Sequence, residues 1–174
     1  MADAEGFDEF YRGTSPRLMR YAYVMTGDMS AAQDLVQEAY VRAWQRWAKL
    51  EQYDHAEGWL RMVVSRLATD RWRKIGVRRH AAAAARSPDP VPPPSENTVL
   101  LVTALRTLPA PQRRALALHY LLDLPIGDIA AETGASVGTV KSWLSRGRAA
   151  LAETLGLREP AATTEWGPRG VTDA

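Results

Sequence analysis

Between residues 87 and 94 the chain reads SPDPVPPP, with proline at Pro88, Pro90, Pro92, Pro93 and Pro94. Proline has no backbone N–H to donate and a fixed φ, so no helix interior or central strand runs through such a stretch. An extended, semi-rigid spacer is expected there. The chain must therefore fold on either side of it. We read one domain at 5–75, a flexible linker at 76–97, a second domain at 98–156 and a disordered tail at 157–174. The five alanines at 81–85 either prolong a helix or belong to the spacer. With 174 residues, 46% of them hydrophobic, there is enough apolar material for one or two cores.

Both flanks read as helix. Ala, Leu and Arg are abundant, Phe occurs only twice, and no segment keeps the period-two alternation of a strand. In the first lobe, Phe7, Phe10, Tyr11, Leu18, Tyr21 and Ala22 form one apolar stripe, interrupted by Pro16 and ended by Gly27. Ser30 and Gln33 match a capping box that opens a second helix. Its buried stripe is expected to be Leu35, Ala39, Tyr40, Ala43, Trp44 and Trp47. Asp54 and Glu57 match another box, opening a third helix. There Trp59, Leu60, Val63, Val64 and Leu67 face inward, and Ser65, Arg66, Thr69, Arg73 and Lys74 face outward. The second lobe holds four helical segments, so the fold class is all-α with two small helical domains.

Charge is unevenly spread. The net value is only +2, yet acids dominate before residue 60. From 61 to 86, Arg61, Arg66, Arg71, Arg73, Lys74, Arg78, Arg79 and Arg86 face Asp70 alone. An acidic lobe followed by a basic stripe implies two different partners, one of them a polyanion. With no cysteine, disulfides, thiol catalysis and Cys-bearing zinc sites are excluded, which suits a reducing cytoplasm. No apolar run reaches membrane-spanning length and the acidic start is not a secretory signal, so a cytoplasmic protein without membrane insertion is expected. His55, His80 and His119 match no metal spacing, and no phosphate loop, nucleophile elbow or catalytic carboxylate pair occurs. We expect no enzyme activity, cofactor, metal or small-molecule substrate.

Residues 125–151 carry the sharpest local signal. A short helix, IGDIAAE, leads into Thr133-Gly134-Ala135, and a second begins at Ser136. Gly134 sits where a tight turn needs a residue without a side chain, and Ser136 is placed to cap the following helix. Ile129, Val137, Val140 and Leu144 are expected to lock the pair. Ser136, Thr139, Lys141, Ser142, Ser145, Arg146 and Arg148 then face DNA. A plain helical hairpin with a solvated polar face fits the same spacing. The absence of any acid between Ser136 and Arg148 favours DNA, because phosphate attraction dominates affinity.

These segments together resemble a family. PIGDIAAETGASVGTVKSWLSRGRAALAE is similar to region 4 of extracytoplasmic-function (group 4) sigma factors of the sigma-70 family, particularly the actinobacterial sigma-E-like members. LRTLPAPQRRALALHYLLDL is similar to the helices preceding it. AAQDLVQEAYVRAWQRW resembles region 2.2, and GWLRMVVSRLATDRWRK resembles regions 2.3 and 2.4. The resemblance spans most of 7–155 in the family's order. It implies a region 2-like domain that binds core RNA polymerase and melts the minus-ten element of promoter DNA. It also implies a region 4-like helix-turn-helix that reads the minus-thirty-five element.

By this resemblance Asp34, Leu35, Gln37, Glu38 and Arg42 contact polymerase; by pattern alone most such charges are simply solvated. Trp59, Ser65, Arg66, Arg71, Arg73 and Lys74 would contact DNA. Trp59 and Trp72 are by residue type more often core than base-stacking platforms, whereas dense Arg and Lys are costly to bury. Ser65 replaces an Asn common in relatives, and Trp143 replaces a basic residue, facing either inward or DNA. A sequestering anti-sigma factor is compatible with the resemblance, although no residue identifies one. Two rivals are a stand-alone helix-turn-helix regulator, binding an operator without polymerase, and an adaptor that binds polymerase without reading DNA.

Overall fold

A computed structural model describes residues 4–77 and 95–157. The described residues form eight helices and no strand: α1 (Ala4–Thr26), α2 (Met29–Trp44), α3 (Trp47–Leu50), α4 (Ala56–Val77), α5 (Glu96–Arg106), α6 (Ala110–Tyr120), α7 (Ile126–Thr133) and α8 (Val137–Thr154). The all-α reading holds. The alanine run, the proline stretch and all but the first residue of the expected tail lie outside the described residues. α4 reaches Val77 and α5 opens at Glu96, so helix occupies the first two positions and the end of the 76–97 segment.

In the first lobe α1, α2 and α4 pack around Leu18, Tyr21, Ala22, Val36, Ala39, Leu60, Val64 and Ala68, all buried. Pro16 does not divide α1, because it lies on the solvent side where the missing hydrogen bond is cheaply replaced by water. Gly27, at φ 71°, ends the helix in the left-handed region that suits glycine. That turn leaves Asp28 extended, and its carboxylate accepts from the Ala31 amide at 2.6 Å. The N-cap of α2 is therefore Asp28, not Ser30. α4 likewise opens at Ala56, with the Trp59 amide bonded to the His55 carbonyl, one residue later than an Asp54 cap would place it. Glu57 instead pairs with Arg17 at 3.0 Å and Arg61 at 3.6 Å.

The expected long second helix stops at Trp44, and a turn at Gln45–Arg46 rotates the next segment. Trp47 thereby enters the core at 5% exposure while Trp44 remains 44% exposed, against the expectation that both are buried. Phe7 packs edge-on against both rings, at 5.0 Å from Trp44 and 5.2 Å from Trp47.

α5 to α8 enclose Leu105, Leu108, Leu116, Leu118, Ile129, Val140 and Leu144. The two lobes do not stand apart. α1 packs on α5 and α6, and one apolar cluster runs continuously from Leu18 to Leu144.

Candidate nucleic-acid interface

The turn between α7 and α8 is built as its sequence implied. Gly134 has φ 70°, and its amide and that of Ala135 both donate to the Ala130 carbonyl. Ser136 caps α8, its hydroxyl accepting from the Thr139 amide at 3.1 Å. Val140, Leu144 and Gly147 form the buried stripe of α8, facing Ile129 and α6. Val137 is 46% exposed and takes no part in locking the helices, contrary to expectation. It falls in the first turn of α8, off the buried stripe of Val140, Leu144 and Gly147. Gly147 does this work instead: a Cβ there would lie 2.8 Å from Leu116 Cδ1, so glycine sets how closely α8 approaches α6.

That packing turns the other faces of α8 outward. Ser136, Thr139, Lys141, Ser145, Arg146 and Arg148 are exposed and Ser142 is half-buried. Lys141, Ser145 and Arg148 follow one another along one edge, with Thr139 and Arg146 on the opposite edge. Arg148 donates to the Tyr120 hydroxyl at 3.1 Å, which aims its guanidinium. Lys141 and Arg146 form no ion pair with another described residue. Trp143, open in the sequence between inward and outward placements, faces the other lobe. It borders a cavity of about 240 Å³ together with Met25, Ser65 and Thr69.

On α4, Arg66, Arg71, Arg73 and Lys74 are exposed and likewise lack an acidic partner among the described residues. Trp59 is half-buried. Ser65 is not on the outer face. It is 4% exposed, accepts from the Tyr21 hydroxyl at 2.6 Å and donates to the Arg61 carbonyl at 2.8 Å. Burial raises the Tyr21 pKa, so this buried pair stays neutral. In this arrangement Ser65 is a core hydrogen-bonding residue. Trp72 is 40% exposed, its indole N–H reaching the Met25 carbonyl at 3.3 Å.

The expected polymerase face is a continuous strip of α2. Asp34, Gln37, Glu38 and Arg42 are exposed, with Glu38 and Arg42 joined at 2.7 Å. Leu35 is 7% exposed, so it supports the strip from within. Val41 and Trp44, 46% and 44% exposed, add apolar area to the same face. Gln37, Val41 and Trp44 recur at i, i+4 and i+7, so the phase of α2 itself carries Trp44 outward, against the expected inward placement. His119 is a boundary residue, its Nδ1 2.9 Å from the Leu124 carbonyl. Among the described residues no group of His, Asp or Glu is arranged to hold a metal, and no helix is long and apolar enough to cross a membrane.

Comparison with known proteins agrees with this geometry. Residues 10–78 match the Sigma-70 region 2 model and residues 98–151 the Sigma-70, region 4 model. The chain is 32% identical to an RNA polymerase sigma-E factor of Streptomyces coelicolor over 161 residues, covering 91% of each protein. It is 32% identical to the ECF RNA polymerase sigma factor SigM of Mycobacterium tuberculosis, over 88% of this chain and 79% of that one. Among solved structures it resembles the sigma factor RpoE from Bartonella quintana, determined with the anti-sigma factor NepR. The TM-score is 0.71 at 25% identity, over 88% of this chain and 98% of that one. The chain thus belongs to the extracytoplasmic-function group of sigma-70 factors, the RNA polymerase subunits that direct promoter-specific transcription initiation.

Proposed function

We propose a division of labour in which the strip Asp34, Gln37, Glu38, Val41 and Arg42 of α2 docks on core polymerase. Arg66, Arg71, Arg73 and Lys74 of α4 then engage the minus-ten element, with Trp59 beside them. α8 enters the major groove at the minus-thirty-five element through Ser136, Thr139, Lys141, Ser142, Ser145, Arg146 and Arg148. The domains carrying these tasks are 5–75 and 98–156, tethered by 76–97, with 157–174 as a tail. Tethering raises the effective concentration of each domain at its element, so two weak contacts act as one selective site. The protein works in the cytoplasm without catalysis of its own, and an anti-sigma factor of the kind bound to the Bartonella relative would restrain it.

The observation that carries this reading is the outer face of α8, where Lys141 and Arg146 stand exposed without acidic partners, behind a turn held by Gly134 and Ser136. Cations so placed release counterions when they meet phosphate, at roughly 0.9 of a log unit in salt dependence per contact. Replacing Lys141, Arg146 and Arg148 together by alanine is expected to abolish promoter selection in run-off transcription with core enzyme, and to lower the salt slope of promoter binding by about 2–3. Unchanged transcription, or equal transcription without the chain, rejects the assignment. Tight operator binding in the absence of core enzyme would favour a stand-alone regulator.

A further inference from the structure

We infer, on the assignment of α8 to the minus-thirty-five element, that Tyr120 at the end of α6 forms with Arg148 a clamp on one phosphate of the DNA backbone. The contact adds affinity without reading sequence. Tyr120 is 53% exposed, and its hydroxyl accepts from the Arg148 guanidinium at 3.1 Å. A phenol that accepts one hydrogen bond still has its own hydrogen to donate. Among the described residues that hydrogen meets no acceptor, and the remaining N–H groups of Arg148 meet none either. Glu153, the one acid of α8, forms no ion pair with Arg148. The pair thus turns donors and positive charge toward solvent, a set that an anionic oxygen satisfies.

Both prongs are held before anything binds. The Tyr120 ring packs edge-on against His119, with centroids 4.8 Å apart, and His119 Nδ1 lies 2.9 Å from the Leu124 carbonyl oxygen. Gly147, next to Arg148, lets α8 approach so closely that a Cβ there would lie 2.8 Å from Leu116 of α6. Side chains fixed beforehand lose less freedom on binding. A bond between Tyr120 and Arg148 could also serve only to tie α6 to α8. Leu116, Val140 and Leu144, all buried, already do that, and an exposed hydrogen bond adds little to them. Position along α8 selects phosphate over base. Helix-turn-helix units set the first turns of the recognition helix against base edges. Arg148 lies twelve positions beyond Ser136, about 18 Å along the axis, whereas the major groove is about 12 Å wide. With Ser136 and Thr139 at the bases, Arg148 and Tyr120 fall at the rim, where the sugar–phosphate strand runs. Both residue types donate to phosphate oxygens, so α6 becomes a second element that touches DNA.

Holoenzyme reconstituted from core RNA polymerase and the full-length chain is titrated with a fluorescent duplex promoter taken from its own mapped transcript starts. Tyr120→Phe keeps the ring and is expected to weaken binding about fivefold. The factor should be the same on duplexes with altered minus-thirty-five base pairs. The salt slope should not change, because no charge is lost, whereas Arg148→Ala should lower it by about 0.9. The two changes together should cost less than the product of their separate factors. Thermal unfolding checks that loss of one exposed oxygen leaves the fold intact. Duplexes with one phosphate at a time replaced by neutral methylphosphonate then locate the contact. One position near the minus-thirty-five element should weaken binding of the wild type and lose most of that penalty in Tyr120→Phe. Wild-type affinity in Tyr120→Phe, a loss that varies with the base pairs, or the same methylphosphonate profile in both proteins overturns the clamp. Lys141→Ala with Arg146→Ala tests the α8 assignment by itself: if preference for the minus-thirty-five element survives that pair, α8 does not read it, whatever Tyr120→Phe shows.

Discussion

Valine in place of Gly147 is expected to force α8 away from α6. The added Cβ would lie 2.8 Å from Leu116 Cδ1, 3.3 Å from its Cγ and 3.7 Å from Gln112 Cβ. Leu116 is 3% exposed and enclosed by core, so it has no free space to turn into, and valine brings two further carbons. Overpacking of this kind costs about 1–3 kcal/mol. The better helix propensity of valine over glycine returns only about 0.3 kcal/mol. A net loss of about 1–3 kcal/mol is expected, confined to the second lobe. Because two lobes can unfold in separate steps, native-state hydrogen exchange of α6 and α8 amides is the suitable measurement. Leu116→Ala opens room for the valine, so the double variant should lose less than the sum of the singles. Gly138, whose added Cβ meets only Ser136 Oγ at 3.8 Å, is the control: Gly138→Ala should be neutral or stabilising. Wild-type protection in Gly147→Val, or strict additivity with Leu116→Ala, would refute the close-approach argument.

Other outcomes follow from the same packing. Ser136→Ala removes the hydroxyl that accepts from the Thr139 amide; a loss of about 1 kcal/mol is expected in α8 exchange, and Ser136→Asp should restore it. Tyr21→Phe leaves Ser65 bonded to the Arg61 carbonyl, so thermal unfolding should report a loss of only about 1 kcal/mol. Burial lifts the Tyr40 pKa to about 12, despite its hydrogen bond with Thr14. The folded state therefore keeps this proton while the unfolded chain releases it near its ordinary value of about 10. The corresponding stability is intact below pH ~10 and is lost as pH rises toward ~12, so Tyr40→Phe should flatten alkaline unfolding followed by helical circular dichroism.

Much of the helical content was legible because apolar residues recur at helical spacing, and the α7–α8 turn because Gly134 and Ser136 have few other uses in that order. The cap of α2 was misread since Ser30 and Asp28 are both competent; Gly27 decides between them by ending α1 one residue before Asp28. Trp44 and Trp47 lie three apart and look equivalent, yet Trp44 keeps the outward phase of α2 while the turn at Gln45–Arg46 sets Trp47 into the core. Ser65 looked like a surface hydroxyl because the Tyr21 partner that satisfies it lies on another helix. The seam between lobes was invisible for a broader reason. Arg61 and Glu132, like Trp72 and Arg113, meet across it from different helices, and no local pattern records how two separately folded pieces are set against each other.

Pro16 has a consequence for how α1 comes apart. Without its N–H the ladder loses the rung to the Arg12 carbonyl, and Thr14 spends its hydroxyl on Phe10 O and Tyr40 rather than on the gap. The stretch before it is attached chiefly by Phe7, Phe10 and Tyr11 against the rings of Tyr40, Trp44 and Trp47. Those ring contacts therefore carry most of the hold on the first turns, and native-state hydrogen exchange should find them opening before the buried stretch Leu18 to Met25.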